Sequence, residues 1–386
     1  MKNIGLHEPQ LNEEEEKNLI DCIRSGWISS SGKYINKFKN KIANISKSKF
    51  VLPTNSGTSA LHIALKSIGV GRGDEILVPT ITFVATINAI IYNNAAPIFL
   101  GVDKDINISI KDTLEYLEKN TVYRSGFSYN KKTKNKIKAI VVVHVFGNAV
   151  DLKKLISVCK NLNIKIIEDA AESLGTFYKS SYLNGKHTGT VGDVGCFSFN
   201  GNKIISAGGG GAILTKSLSL YNKANYLCKQ AKNDVVFFKH NEIGYNYTLS
   251  NIHAAVGCAQ FSKLKDHIFK KKGIHNFYDN LFSTEKNRIE LLKPNNFCRS
   301  NYWLNVIKFK KINKQKFKQI IIKLIRLGIQ VRPVWFPNHK QKQFIKYERY
   351  NVDNTSRLTN THLCLPSSPN LTEKDQKRIF NSIIDL

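Results

Sequence analysis

Between residues 49 and 215, short and nearly continuous apolar runs alternate with longer stretches whose apolar residues recur at helical spacing. Runs such as Ile140-Val-Val-Val143 suit a sheet covered on both faces, whereas a half-exposed sheet would alternate apolar with polar. The pattern predicts strands at 49–53, 75–78, 97–100, 138–143, 165–168, 194–198 and 212–215. Helices are predicted at 58–68, 81–92, 110–119 and 152–162. This alternation implies an α/β fold, with a mostly parallel central sheet flanked by helices. Ahead of it, 12–24 and 33–47 read as helices, the first opening on Asn12-Glu-Glu-Glu-Glu16, acidic groups at the positive end of the helix dipole.

The repeat changes after about residue 250. A helix from 251 to about 272, a strand at 302–310, an amphipathic helix at 314–327 and a strand at 329–334 predict a smaller C-terminal α+β unit. The expected division is a large α/β domain over 1–255 and a small domain over 256–386. The polar, lysine-rich stretch 123–138 reads as a surface insertion loop, because burial would strand its polar groups.

With 386 residues and 42% hydrophobic content, the chain can bury a large core. No apolar run is long enough to span a membrane, and the N-terminus lacks the apolar core of a signal peptide. Seven cysteines without a CxxC pair suggest reduced thiols in a cytoplasm, and no metal site. The net charge of +29 raises nucleic-acid binding or attraction of an anionic substrate. The lysines are dispersed, however, and no nucleic-acid-binding motif accompanies them, so a Lys-, Asn- and Ile-rich compositional bias is the simpler account.

The candidate chemistry centres on Lys203, in the run Cys196-Phe-Ser-Phe-Asn-Gly-Asn-Lys203 followed by four glycines at 208–211. A desolvated lysine amine is a usable nucleophile toward aldehydes, of which pyridoxal phosphate is the common enzymatic example. A surface lysine in a glycine-rich turn would look the same. Asn55-Ser-Gly-Thr-Ser-Ala60 lies between a strand and a helix. Gly57, Thr58 and Ser59 there suit a phosphate, or serve as an ordinary helix cap. Ile166-Ile-Glu-Asp-Ala-Ala-Glu172 runs a strand into carboxylates. Asp169 is placed to pair with a protonated pyridine nitrogen, Ala171 to lie against a ring face, and Glu172 to reach its phenolic oxygen. A capping carboxylate pair is the alternative. Ser198 could add a hydroxyl to the phosphate, and Phe83 could stack on the ring face opposite Ala171 or belong to the core. For substrate, the candidates are Trp27, Ser29 and Ser30 in the hydroxyl-rich loop 25–32, together with His144 and Arg332. Gly69-Val-Gly-Arg-Gly73 precedes a strand, where a dinucleotide fingerprint must follow one.

Nine segments occur in one order: Ser25-Gly-Trp27, Asn55–Ala60, Pro79–Phe83, His144-Val-Phe-Gly-Asn148, Glu168–Glu172, Ser198–Lys203, Gly208–Gly211, Gly244-Tyr-Asn-Tyr247 and Arg332-Pro-Val-Trp335. In this the chain resembles the DegT/DnrJ/EryC1/StrS sugar aminotransferases, a branch of the fold-type I pyridoxal phosphate enzymes. The resemblance implies Lys203 as the Schiff-base lysine and Asp169 as the pyridinium partner. It also implies phosphate binding by Thr58 and Ser198 with help from Gly57 and Ser59, and a homodimer in which Asn246 reaches the neighbouring subunit's cofactor. The expected reaction moves an amino group from glutamate to C4 of a UDP-linked 4-keto-6-deoxy-N-acetylhexosamine for surface glycan synthesis. A GDP-4-keto-6-deoxymannose 4-aminotransferase or a C3-specific enzyme is the alternative. Thr248, Ser250 and Phe336-Pro-Asn-His339 depart from the pattern of many relatives, which bears on the exact sugar.

Overall fold

The computed structural model describes residues 3–234 and 236–385. Two helices lead, α1 (Glu13–Ser25) and α2 (Lys33–Ser46). The acidic run starts α1 as expected: Glu14 N–H donates to Asn12 Oδ1 at 3.0 Å and Asn12 N–H to Glu15 Oε2 at 2.7 Å, a capping box. The alternating region then supplies β1 (Phe50–Thr54), α3 (Gly57–Ser67), β2 (Asp74–Pro79), α4 (Val84–Tyr92), β3 (Ala96–Leu100) and α5 (Ile110–Asn120). It continues with β4 (Thr121–Arg124), β5 (Phe127–Asn130), β6 (Lys136–Val143), α6 (Lys153–Asn161), β7 (Lys165–Asp169), β8 (Phe177–Tyr178), β9 (Val194–Ser198), β10 (Gly211–Thr215) and α7 (Leu218–Cys228). A ribbon of β11 (Lys232–Asp234) and β12 (Lys239–His240) precedes the long helix α8 (Asn251–Ser283). Beyond it lie β13 (Ile289–Leu291), β14 (Cys298–Arg299), β15 (Asn305–Phe309), α9 (Lys314–Arg326), β16 (Arg332–Pro333), β17 (Arg349–Tyr350), α10 (Thr355–Thr359), β18 (His362–Leu365) and α11 (Glu373–Ile384).

The main sheet runs β1-β10-β9-β7-β6-β2-β3-β17. Every pairing from β9 to β17 is parallel, whereas β10 is antiparallel to both β9 and β1. Both faces are covered. Along β6, Ala139 and Val141 pack with buried residues of α3, α4 and α7, and Ile140 and Val142 with those of α5 and α6. The strand order reverses between β6 and β2, and ligands of open α/β sheets bind beyond the carboxyl ends of the strands at such a point. A second, antiparallel sheet, β13-β15-β18-β16, packs against α9 and α11.

Four elements differ from their sequence reading. The stretch 123–138 contains a hairpin, β4–β5, and β5 adds to β6 through Tyr129 and Lys136. Its turn uses positive φ at Ser125 and Gly126, and the two buried polar residues of β5 have partners: Ser128 donates to Leu162 O, and Asn130 to Glu75 and Glu348. Helix α4 begins at Val84 rather than Ile81, because Asn338 Nδ2 donates to the carbonyls of Thr80 and Thr82 at 3.2 and 2.8 Å and holds that bent segment outside the helix. Helix α8 continues to Ser283, since Ile274, Tyr278 and Phe282 carry its apolar stripe into the C-terminal core. The strand foreseen at 329–334 reduces to β16, while Ile329 pairs with Ile4 near the start of the chain. Among the described residues no helix is long and apolar enough to cross a membrane, and all seven cysteines are free and buried.

Candidate active site

At the carboxyl ends of β2, β6, β7 and β9 a cavity of about 940 Å³ opens. Gly57, Thr58, Phe83, Asp169, Ala171, Glu172, Ser198, Lys203 and Arg332 line it, so most of the sequence candidates converge there from separate segments.

The N-terminus of α3 forms one wall. Ser56 caps it, accepting from Ser59 N–H at 3.0 Å, and Gly57 and Thr58 face the cavity beside Ser198. A Cβ on Gly57 would stand 2.8 Å from Ser198 Cβ, and one on Gly211 would stand 2.3 Å from Ser56 O. Only glycines let the three segments close up this far, which gathers backbone N–H groups and hydroxyls where an anion fits.

Asp169 ends β7, buried. Thr86 Oγ1 donates to its Oδ2 at 2.7 Å and Ala171 N–H to its Oδ1 at 3.1 Å. Burial pushes its carboxyl above the ordinary range, opposed by these bonds and by the nearby charge of Lys203. A protonated ring nitrogen brought against this carboxylate would find a charge with no cationic hydrogen-bond partner of its own in the site.

Lys203 sits in the turn after β9, its side chain 13% exposed. Its Nζ lies 3.5 Å from Glu172 Oε1 and 4.4 Å from the centre of the Trp303 ring. Trp303 is fixed by its indole N–H, which donates to Asn202 O at 2.8 Å. Burial pushes Glu172 up to about 7, against the pull of Lys203 and of the Phe146 N–H, which donates to its Oε2 at 2.9 Å. Phe146 pays for that bond with a left-handed backbone, φ 54°, uncommon for a bulky residue. Its ring stacks on Trp335 at 4.8 Å and lies 6.2 Å from Trp303, giving an aromatic wall opposite the carboxylates.

Six candidates lie off the cavity of this chain. Ser59 lies in the first turn of α3, its N–H held by the Ser56 cap and its hydroxyl donating to Asn55 Oδ1 at 2.5 Å. Asn246 is exposed, its carbonyl accepting from Asn55 Nδ2 at 3.4 Å. Trp27, Ser29 and Ser30 are exposed on a loop tied down by Asn251, whose Nδ2 donates to Trp27 O at 2.7 Å and whose N–H donates to Ser29 O at 2.6 Å. His144 is fully buried. Val150 N–H donates to its Nδ1 at 3.1 Å, so Nε2 carries the proton that faces Glu168 Oε2 at 2.9 Å. With both nitrogens engaged, His144 supports the strand end rather than touching the cavity.

Thr86, Trp303 and His7 also line the cavity without having been sequence candidates, as do Phe146 and Trp335, which stand in segments quoted for the resemblance but were given no role there. The Thr86 hydroxyl lies 3.1 Å from that of Thr82, which precedes the helix.

A family model described as the DegT/DnrJ/EryC1/StrS aminotransferase family matches residues 9–384. The chain belongs to this family. It is an aminotransferase. It is 33% identical over 390 residues to a protein of Bacillus subtilis named as the putative pyridoxal phosphate-dependent aminotransferase EpsN, covering 100% of this chain and 96% of that one. It is 33% identical to the GDP-perosamine synthase of Escherichia coli O157:H7, covering 99% and 98%. In fold it matches the crystal structure of a family aminotransferase from Brucella abortus with a TM-score of 0.85, at 24% identity, over 97% of this chain and 95% of that one.

Proposed function

We propose that this aminotransferase transfers an amino group from glutamate to C4 of a 4-keto-6-deoxyhexose carried on a nucleoside diphosphate. The cofactor is pyridoxal phosphate, which when bound supplies the electron sink of the reaction. The observation that carries the reading is the position of Lys203 Nζ, held between Glu172 and the Trp303 face in the cavity that also contains Asp169 and the α3 anion cradle.

In this reading Thr58 and Ser198, with the backbone of Gly57 and Ser59, hold the phosphate. Asp169, kept in place by Thr86 and Ala171, keeps the ring nitrogen protonated. Ala171 and Phe83 would flank the ring, and Glu172 would meet its phenolic oxygen. Lys203 Nζ carries the proton between the amino donor and the cofactor, general acid–base work that its short reach to the cavity allows. Arg332, exposed at the mouth, offers a fork to a diphosphate or a donor carboxylate. A second copy of the chain would bring Asn246, and the loop of Trp27, Ser29 and Ser30, to its neighbour's cavity. That is why these exposed residues stay in the site although they stand apart from it here. The division into a 1–255 domain and a 256–386 domain belongs to the same reading, with Ile4 and β17 crossing it. A cytoplasmic enzyme fits the seven unpaired thiols.

The likeness to GDP-perosamine synthase favours a GDP-linked sugar, against the UDP-linked N-acetylhexosamine that the sequence resemblance implies. Turnover of GDP-4-keto-6-deoxymannose and of its UDP-linked N-acetyl counterpart, each with glutamate and the cofactor-loaded enzyme, decides between them. Absence of amination with both overturns the reading.

A further inference from the structure

The chain's first described residues are part of the cavity wall. Ile4 N–H donates to Gly328 O at 2.8 Å and Gln330 N–H returns to Ile4 O at 2.9 Å. Ser367 N–H donates to Leu6 O at 2.8 Å, and Glu8 N–H to Ser368 Oγ at 3.0 Å. These four bonds clamp the segment on both sides of His7 and hold the imidazole at the cavity, its ring centre 6.5 Å from that of Trp303. Trp303 is the ring over which Lys203 Nζ lies.

His7 is only 9% exposed, yet neither Nδ1 nor Nε2 has a hydrogen-bond partner. Buried polar groups are almost always paired, and a pair of orphans at the wall of a ligand cavity points to a partner that arrives with the ligand. Burial, then the charges of Lys271, His267 and Lys203, disfavour the imidazolium. The ring is therefore neutral, with one N–H donor and one acceptor. A half-turn about χ2, a soft and roughly two-fold torsion, exchanges Nδ1 with Cδ2 and Nε2 with Cε1, so either ring edge can present a nitrogen to the cavity while the backbone stays clamped. A hydroxyl, itself both donor and acceptor, complements such a ring. A carboxylate or diphosphate is better served by a charged fork, and Arg332 is on the same cavity.

We propose that His7 is a substrate-contact residue that binds a hydroxyl of the hexose ring and so selects among keto-sugars; this rests on the nucleotide-sugar reading above. The test compares wild type, His7→Phe and His7→Gln as cofactor-loaded enzymes. The probes are glutamate alone, followed by cofactor absorbance, and then GDP-4-keto-6-deoxymannose and its UDP-linked N-acetyl counterpart. The expected result is an absorbance response to glutamate unchanged in all three, with KM for the sugar that wild type turns over raised about tenfold or more in H7F and largely restored in H7Q. KM in H7F within about twofold of wild type overturns the proposal. So does an equal loss of the glutamate response in H7F, which would place His7 in machinery common to both halves of the reaction. Should H7F not fold, His7→Leu gives the same comparison. Wild type that aminates neither sugar overturns the parent reading and this one with it, an outcome distinct from unchanged kinetics in an active H7F.

Discussion

Glu172 Oε1 lies 3.5 Å from Lys203 Nζ in a site where burial pushes the glutamate up to about 7. The second oxygen of that carboxyl accepts the Phe146 N–H, so the group faces both the nucleophile and the aromatic wall. A carboxyl raised from 4.5 to about 7 in the folded chain binds its proton more tightly there than when unfolded. Its contribution to stability is therefore full below about pH 4.5 and is lost as the pH rises through about 7. Glu172→Gln keeps the acceptor for Phe146 and removes the titration. Thermal unfolding of the cofactor-free chain across this window should show wild type losing stability toward neutral pH relative to E172Q. Parallel curves for the two proteins would mean that Glu172 is already ionised throughout.

Lys203→Ala should abolish amino transfer, by at least about a thousandfold, because no other amine lines the cavity among its described residues. Lys203→Arg keeps the charge over Trp303 but offers no nucleophile at neutral pH, and should be as inactive. Single-turnover absorbance with glutamate reports on both variants. A K203R enzyme within tenfold of wild type would remove the lysine from the chemistry.

Asp169→Asn and Thr86→Val separate charge from positioning. The first removes the carboxylate that meets the ring nitrogen and should cost about a hundredfold or more in turnover. The second leaves the carboxylate but strips the hydroxyl that donates to Oδ2 at 2.7 Å, and should cost only about tenfold. If T86V is as damaged as D169N, the hydroxyl must serve the reaction beyond orienting the aspartate. Steady-state rates of the two variants, loaded with equal cofactor, settle which.

The strands and the three strongest site residues were legible because they are local. Asp169 and Glu172 follow the apolar run of β7, and Lys203 the turn after β9, so their polar groups stand at or just beyond strand ends. What was not legible depends on contacts distant in sequence. His7 reaches the cavity because Ile4 pairs with Ile329, and Trp303 because its indole meets Asn202 O, partners that no spacing announces. The hairpin at 121–130 was hidden for a related reason. Ser128 and Asn130 look like loop residues until Leu162, Glu75 and Glu348 are brought up to satisfy them. The late start of α4 likewise rests on Asn338, more than two hundred residues later.

His144 provides the last separation, between support and contact. Burial alone would raise the Glu168 carboxyl, but the His144 bond and the N–H groups of Gly192 and Gly189 outweigh it and hold it below the ordinary range. Those two N–H groups and that of Val191 donate to it at 2.6 to 2.8 Å, so one carboxylate anchors the 189–192 turn beside β7 while Asp169, the next residue, faces the cavity. His144→Ala removes the side-chain donor from a buried anion and should destabilise the chain by about 2–4 kcal/mol. Because the imidazole does not touch the cavity, KM for the keto-sugar should stay within about twofold of wild type in the fraction that folds. Denaturant unfolding gives the first quantity and steady-state kinetics the second. A stable H144A enzyme with a sharply raised KM would return His144 to the substrate.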